Sequence, residues 1–127
     1  MKIGFIGLGN VGSKLSGSLL RNGFDVSVYD LSSQLMVDFA KNGAKIGENP
    51  EHLMNVCDTI ITCLPSPAAS NMVMQKMIPF VKEGKTWLEM STTDDAEVKR
   101  LGTEVISRGG KAVDCPVSGG CHRADTG

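Results

Sequence analysis

Gly7-Leu8-Gly9-Asn10-Val11-Gly12 constrains this chain more than any other stretch. Glycines at this spacing allow a turn from strand to helix too tight for side chains. The flanks agree with such a turn. Ile3 to Ile6 is an apolar run without alternation, the pattern of a parallel strand buried on both faces. Val11, Leu15 and Leu19 recur every four residues, which is one stripe of a helix. Asn22-Gly23 is a helix stop. Val26, Val28 and Tyr29 then form a second β-rich run that ends at Asp30. Strand, glycine turn, helix, strand and terminal acid in this order are the fingerprint of a dinucleotide-binding unit.

Each residue of the fingerprint carries a physical expectation. Gly7 permits the turn, Gly9 lets a pyrophosphate approach bare backbone, and Gly12 lets the helix pack close against the sheet. The pyrophosphate is expected along Gly7, Leu8, Gly9, Asn10, Val11 and Gly12, where free N–H groups and the positive end of the helix dipole point at it. Asp30 stands 18 residues past Gly12. A carboxylate there accepts hydrogen bonds from the adenosine ribose hydroxyls and repels a 2′-phosphate. No Arg follows it in Leu31-Ser32-Ser33. The expected cofactor is therefore NAD rather than NADP.

The remainder repeats the alternation of strand and helix. Strands are expected at Ala44 to Ile46, Asp58 to Leu64, Thr86 to Leu88 and Lys111 to Asp114. Helices are expected after Ser32 or Ser33, from Pro50, from Pro67 with Ala69, Val73 and Met77 in one stripe, and over Asp94, Asp95 and Glu97 onward to Val105. Met72, Met74 and Met77 read as core filler, and His52 as an exposed polar residue. Such alternation with short connections forces a parallel sheet with helices on both faces. With the fingerprint, it implies an α/β, Rossmann-type doubly wound domain over 1–127 with strand order 3-2-1-4-5-6. Ligands of such sheets bind beyond the carboxyl ends of the strands. That singles out Gly7 to Gly12, Asp30, Leu64-Pro65, Ser91-Thr92 and the loop after Asp114.

Composition removes other classes. The 127 residues suit one domain, and the net charge is −1 with no basic run, which argues against nucleic acid or an anionic membrane surface as partner. No apolar stretch approaches the ~20 residues of a membrane span. A strand beginning at Lys2 leaves no room for a signal peptide, so a cytoplasmic protein, or the mature form of an organellar one, is expected. Cys57, Cys63, Cys115 and Cys121 lack CxxC spacing, so free thiols and no metal site are expected, with Cys63 as a core thiol.

The loop after the sixth strand is Asp114-Cys-Pro-Val-Ser-Gly-Gly120. Together with Phe5-Ile-Gly-Leu-Gly9, Leu64-Pro65 and Ser91-Thr92, it resembles the N-terminal domain of the β-hydroxyacid dehydrogenases, the family of 3-hydroxyisobutyrate dehydrogenase, tartronate semialdehyde reductase and 6-phosphogluconate dehydrogenase. The resemblance covers the whole chain. It implies oxidation of a small β-hydroxy acid, with Ser118, Gly119 and Gly120 holding the substrate carboxylate; a hydroxyl beside two unencumbered N–H groups is an anion-binding nest. It implies that Leu64 and Pro65 line the nicotinamide side and that Thr92 contacts the cofactor. The sequence departs from the family at Asn10-Val11, at Glu89 in place of an Asp, and at Asp94 near the usual Pro. The family's catalytic Lys is expected on a helix beyond Gly127, followed by a helical domain that closes the site and makes a homo-oligomer. No catalytic residue is therefore assigned within the chain, and Lys99 and Lys111 are not substitutes. Two alternatives stay open: another Rossmann dehydrogenase or reductase, and a non-catalytic NAD(P)-binding regulatory module.

Overall fold

The computed structural model of the chain describes residues 1–126. The domain expected over 1–127 thus reaches one residue, Gly127, outside the described residues. Six strands form one parallel sheet: β1 Lys2–Ile6, β2 Asp25–Tyr29, β3 Lys45–Ile46, β4 Thr59–Thr62, β5 Thr86–Glu89 and β6 Lys111–Asp114. Their order across the sheet is β3-β2-β1-β4-β5-β6, as the alternation implies. The connecting helices are α1 Asn10–Arg21, α2 Ser33–Lys41, α3 Pro50–Val56, α4 Pro67–Met77 and α5 Asp95–Ser107. A sixth helix, α6 Gly120–Thr126, follows β6.

The central strand β1 pairs with both β2 and β4, so Ile3 faces Val26 on one side and Thr59 on the other. Successive side chains of each strand enter opposite layers. On one face Ile3, Phe5, Val26, Val28 and Ile61 pack with Leu15 and Leu19 of α1 and with Leu35 and Phe39 of α2. On the other, Ile6, Ile60 and Trp87 pack with Leu53 and Met54 of α3, Met74 and Met77 of α4, and Val98, Leu101 and Val105 of α5. The Trp87 indole N–H donates to Thr62 Oγ1 at 2.9 Å, which satisfies the one polar atom of this buried ring.

Four helices begin at a side-chain cap: Ser32 for α2, Asn49 for α3, Ser66 for α4 and Asp94 for α5. Asp94 is therefore the cap rather than a first-turn residue. Asp58, Cys63 and Leu64 lie outside β4, because pairing with β5 begins at Thr59 and stops at Thr62. His52 is half-buried, not exposed, and its Nδ1 has no hydrogen-bond partner among the described residues. Helix α6 was not expected, since two glycines at its start read as turn rather than helix. It forms because it has something to lie on: it packs against α1, and its Asp125 pairs with Arg21 at 3.1 Å. No described helix is long and apolar enough to cross a membrane, and no described cluster of His, Cys, Asp and Glu could hold a metal.

Candidate dinucleotide-binding site

The site grows from the end of β1. Gly7 has φ +99°, a left-handed conformation that side chains rarely adopt, and its N–H donates to the Tyr29 carbonyl at 3.0 Å. A Cβ on Gly7 would collide with the Cys63 carbonyl, and a Cβ on Gly12 would collide with the Gly7 carbonyl. These two glycines close the strand–turn–helix corner. Gly9 differs: a Cβ there would meet nothing within 4 Å. Its bareness serves no internal packing, so it leaves room for something outside the chain.

The N-terminus of α1 faces that room. Gly9 supplies no side-chain cap, and the first turn holds no acid. The first N–H groups of a helix have no internal acceptor, so Asn10, Val11 and Gly12 present donors at the positive end of the dipole. Such an array of donors has the chemistry to hold an anion such as a pyrophosphate.

Asp30 is fixed beside it. One carboxylate oxygen accepts from the Leu8 N–H at 2.8 Å and the other from the Ser32 N–H at 2.8 Å. Each oxygen keeps a further lone pair for a ribose hydroxyl. The carboxylate thus braces the glycine loop and points at the cleft in one conformation.

A cleft of about 930 Å³ runs over the carboxyl ends of the strands. Gly7, Gly9, Asn10, Val11, Gly12, Asp30, Leu64, Pro65, Ser91, Thr92, Ser118 and Gly120 all line it. Residues from five separate segments of sequence therefore meet at one surface. Two expected site residues do not line it. Leu8 is 1% exposed and packs in the core with Ile3 and Phe5, while its N–H is already committed to Asp30. Its contribution is to hold the loop, not to touch cofactor. Gly119 is exposed outside the cleft, and the stem of Arg123 lies where a side chain on it would stand, with Cδ 2.6 Å from a Cβ at that position.

The structure adds residues that sequence reasoning passed over. Ala69, Met72, Val73 and Lys76 of α4 line the cleft, as does Arg123 of α6. Met72 is 63% exposed and is cleft wall rather than core filler, unlike Met74 and Met77, which are fully buried. The signal was present: α4 carries apolar residues on two stripes, and one buried face needs only one. Lys76 and Arg123 form no ion pair among the described residues, so they lend the cleft positive charge. Lys99 is paired with Asp95 at 2.8 Å on the surface of α5, which pushes its ammonium pKa up. Lys111 opens β6 at the opposite end of the sheet. Neither lines the cleft.

The thiols differ in setting. Cys63 is half-buried: it packs against the core layer of Ile3 and Phe5 and also lines the cleft. Burial raises the pKa of Cys57, Cys63 and Cys115, and the nearby Glu89 carboxylate adds to the rise at Cys63 and Cys115. Thiolate is the reactive form. With iodoacetamide at neutral pH, exposed Cys121 is expected to label first and Cys57 last, and NADH in the cleft is expected to slow Cys63 further. Peptide mass spectrometry over time checks this order; early labelling of Cys57 would contradict the packing.

Comparison with known proteins agrees with this geometry. The family model described as the NAD binding domain of 6-phosphogluconate dehydrogenase matches residues 2–127. The chain is 33% identical over 129 residues to the cytokine-like nuclear factor N-PAC of Homo sapiens, covering 99% of this chain and 23% of that protein. It is 33% identical over 130 residues to glyoxylate/succinic semialdehyde reductase 1 of Arabidopsis thaliana, covering 100% of this chain and 45% of that protein. It is similar in structure to the 3-hydroxyisobutyrate dehydrogenase of Mycobacterium tuberculosis, solved with L-serine: TM-score 0.90, 25% identity, 98% of this chain and 43% of that one. The chain therefore spans less than half the length of these relatives. With the family matched from residue 2 to residue 127, over a glycine turn, a bare helix end and a braced carboxylate in one cleft, the chain belongs to the NAD(P)-binding domain family of 6-phosphogluconate dehydrogenase, within the β-hydroxyacid dehydrogenases.

Proposed function

We propose that this domain serves a dehydrogenase that prefers NAD to NADP and oxidises a small β-hydroxy acid of the 3-hydroxyisobutyrate kind. The observation that carries the NAD preference is Asp30. Its carboxylate is held at the cleft by two backbone N–H groups, so it cannot swing away from a 2′-phosphate without breaking both bonds. The two cleft cations, Lys76 and Arg123, lie on α4 and α6 and not on the loop after Asp30.

The division of labour follows from the order of strands. Asp30, at the end of β2, holds the adenosine ribose. The α1 N-terminus, beyond β1, holds the pyrophosphate. Leu64, Pro65 and Thr92, beyond β4 and β5, bound the nicotinamide end and keep water from it. A bound nicotinamide would supply the hydride acceptor for oxidation of the hydroxy acid. The Ser118 hydroxyl and the Gly120 N–H hold the substrate carboxylate, and Arg123 beside them favours an anion. The proton of the hydroxyl goes to a general base, a Lys, on a helix following the described residues. A helical domain beyond it closes the cleft and makes the homo-oligomer. Free thiols suit a reducing compartment such as the cytoplasm.

Titration with NADH and NADPH at equal salt tests the cofactor reading. NADH is expected to bind more tightly, by at least about tenfold for one charge-assisted hydrogen bond gained and one charge repulsion avoided. Tighter binding of NADPH would overturn it. A second reading, a non-catalytic NAD(P)-binding module, is favoured by one observation: the chain is as identical to a relative named as a nuclear factor as to one named as a reductase. Presence of a cleft-facing Lys in the helix that follows separates the two.

A further inference from the structure

We propose that Glu89 and Ser91 form a positioning relay that holds the Leu64–Pro65 loop against the nicotinamide half of the dinucleotide. The inference rests on the cleft being an NAD(P) site.

The strands locate that half. The ribose acid stands at the end of β2 and the phosphate-binding turn at the end of β1. The sheet continues through β4 to β5. A dinucleotide lying across these ends therefore places its nicotinamide over the loops after β4 and β5. Those loops begin where backbone pairing ends. The last ladder bond between them runs from the Met90 N–H to the Thr62 carbonyl at 2.9 Å. One step further, no backbone acceptor meets the Leu64 N–H. The Ser91 hydroxyl oxygen takes that bond instead, at 2.7 Å. Ser91 is itself fixed: its N–H donates to Glu89 Oε1 at 2.9 Å. Two side chains thus extend the sheet by one cross-strand tie after the strands have parted.

Burial makes the tie rigid. Glu89 is 0% exposed and Ser91 3% exposed. Glu89 Oε2 has no hydrogen-bond partner among the described residues. A buried carboxylate with one bare oxygen is costly, and an apolar side chain would fill the same space at no such cost. What Glu89 does that an apolar residue could not is accept from the Ser91 N–H. Glu89 does not line the cleft and Ser91 does; the relay acts through Leu64 and Pro65, which line it beside Ser91.

The test separates the two halves of the ligand. ADP-ribose carries the adenosine, both phosphates and a ribose but no nicotinamide. Calorimetry on the wild-type chain should show binding of both NADH and ADP-ribose. In Ser91→Ala, NADH affinity is expected to fall about tenfold, the worth of leaving the Leu64 N–H unpaired, while ADP-ribose affinity stays within about twofold. Ser91→Thr, which keeps the hydroxyl, should restore NADH binding. Glu89→Gln keeps an acceptor and should resemble wild type; Glu89→Met removes it and should resemble Ser91→Ala. If Ser91→Ala does not fold, Ser91→Cys keeps the volume, weakens the acceptor and carries the same comparison. Equal losses for both ligands, or no loss for either, would overturn the relay. Failure of the wild-type chain to bind even ADP-ribose would instead overturn the cofactor site itself, and the relay with it.

Discussion

Gly9→Val is expected to leave a folded chain that no longer binds NAD(P), and Gly12→Val to leave one that folds poorly at any ligand concentration. The two glycines stand three residues apart in one motif, yet their surroundings are opposite. Around Gly9 a Cβ meets nothing within 4 Å, so the valine enters open cleft and occupies the space of the pyrophosphate. Around Gly12 a Cβ collides with the Gly7 carbonyl, and the next nearest side-chain atom is Phe5 Cε1 at 3.4 Å in the core. Neither can yield, because Gly7 is held by its bond to Tyr29 and Phe5 is fully buried. Relief requires α1 to lift from the sheet, which costs at least about 3 kcal/mol, at the severe end of overpacking. That is a large fraction of the roughly 5–15 kcal/mol that holds a domain together. Circular dichroism melts and NADH titration on both variants check the pair. A Gly9→Val chain with wild-type NADH affinity would place the phosphates elsewhere.

Asp30→Ala is expected to lose both cofactor affinity and stability. The sequence alone suggests only the first effect, a ribose hydrogen bond of roughly 1.5–3 kcal/mol. The structure adds the second. Removing the carboxylate leaves the Leu8 and Ser32 N–H groups without their acceptor, and both are part-buried. Each unpaired group costs about 1 kcal/mol or more. Leu8 belongs to the glycine loop, so loosening it blurs the phosphate site as well. The combined Asp30→Ala, Leu31→Arg exchange should therefore gain NADPH relative to NADH but bind both less tightly than wild type binds NADH. Asp30→Asn, which retains one acceptor, should fall between. Calorimetric titration and a thermal melt on the same samples measure the two effects separately; an unchanged melting temperature for Asp30→Ala would show that water replaces the lost bonds.

Much of the fold was legible in the chain. Strand and helix write different periods into the sequence, and a glycine turn between them has few other uses. Right-handed crossovers then leave one sensible order for six alternating units. Hence β1 to β6, their order, the packing parts of Gly7 and Gly12, and the places of Gly9 and Asp30 at the cleft follow from local spacing. The family motifs carried Leu64, Pro65, Thr92, Ser118 and Gly120 to the cleft, where the structure also has them.

What spacing could not settle was partnership. A period tells which residues share a face; it does not tell what that face meets. Helix α4 has two apolar stripes, and only packing assigned Met74 and Met77 to the core and Met72 to the cleft. Leu8 lies inside the glycine motif, yet its side chain turned to the core because the sheet behind it is apolar. Residues 120–126 became a helix because α1 offered a surface and Arg21 a partner for Asp125, far away in sequence. Glu89, Ser91 and Leu64 met only because β4 and β5 are neighbours and stop pairing at the same level. The sequence by itself determined the six strands, the five helices between them, their order and the glycine turn, since these depend on neighbours along the chain. Only the tertiary structure decided which side chains brace, line or fill the site, since that depends on neighbours across it.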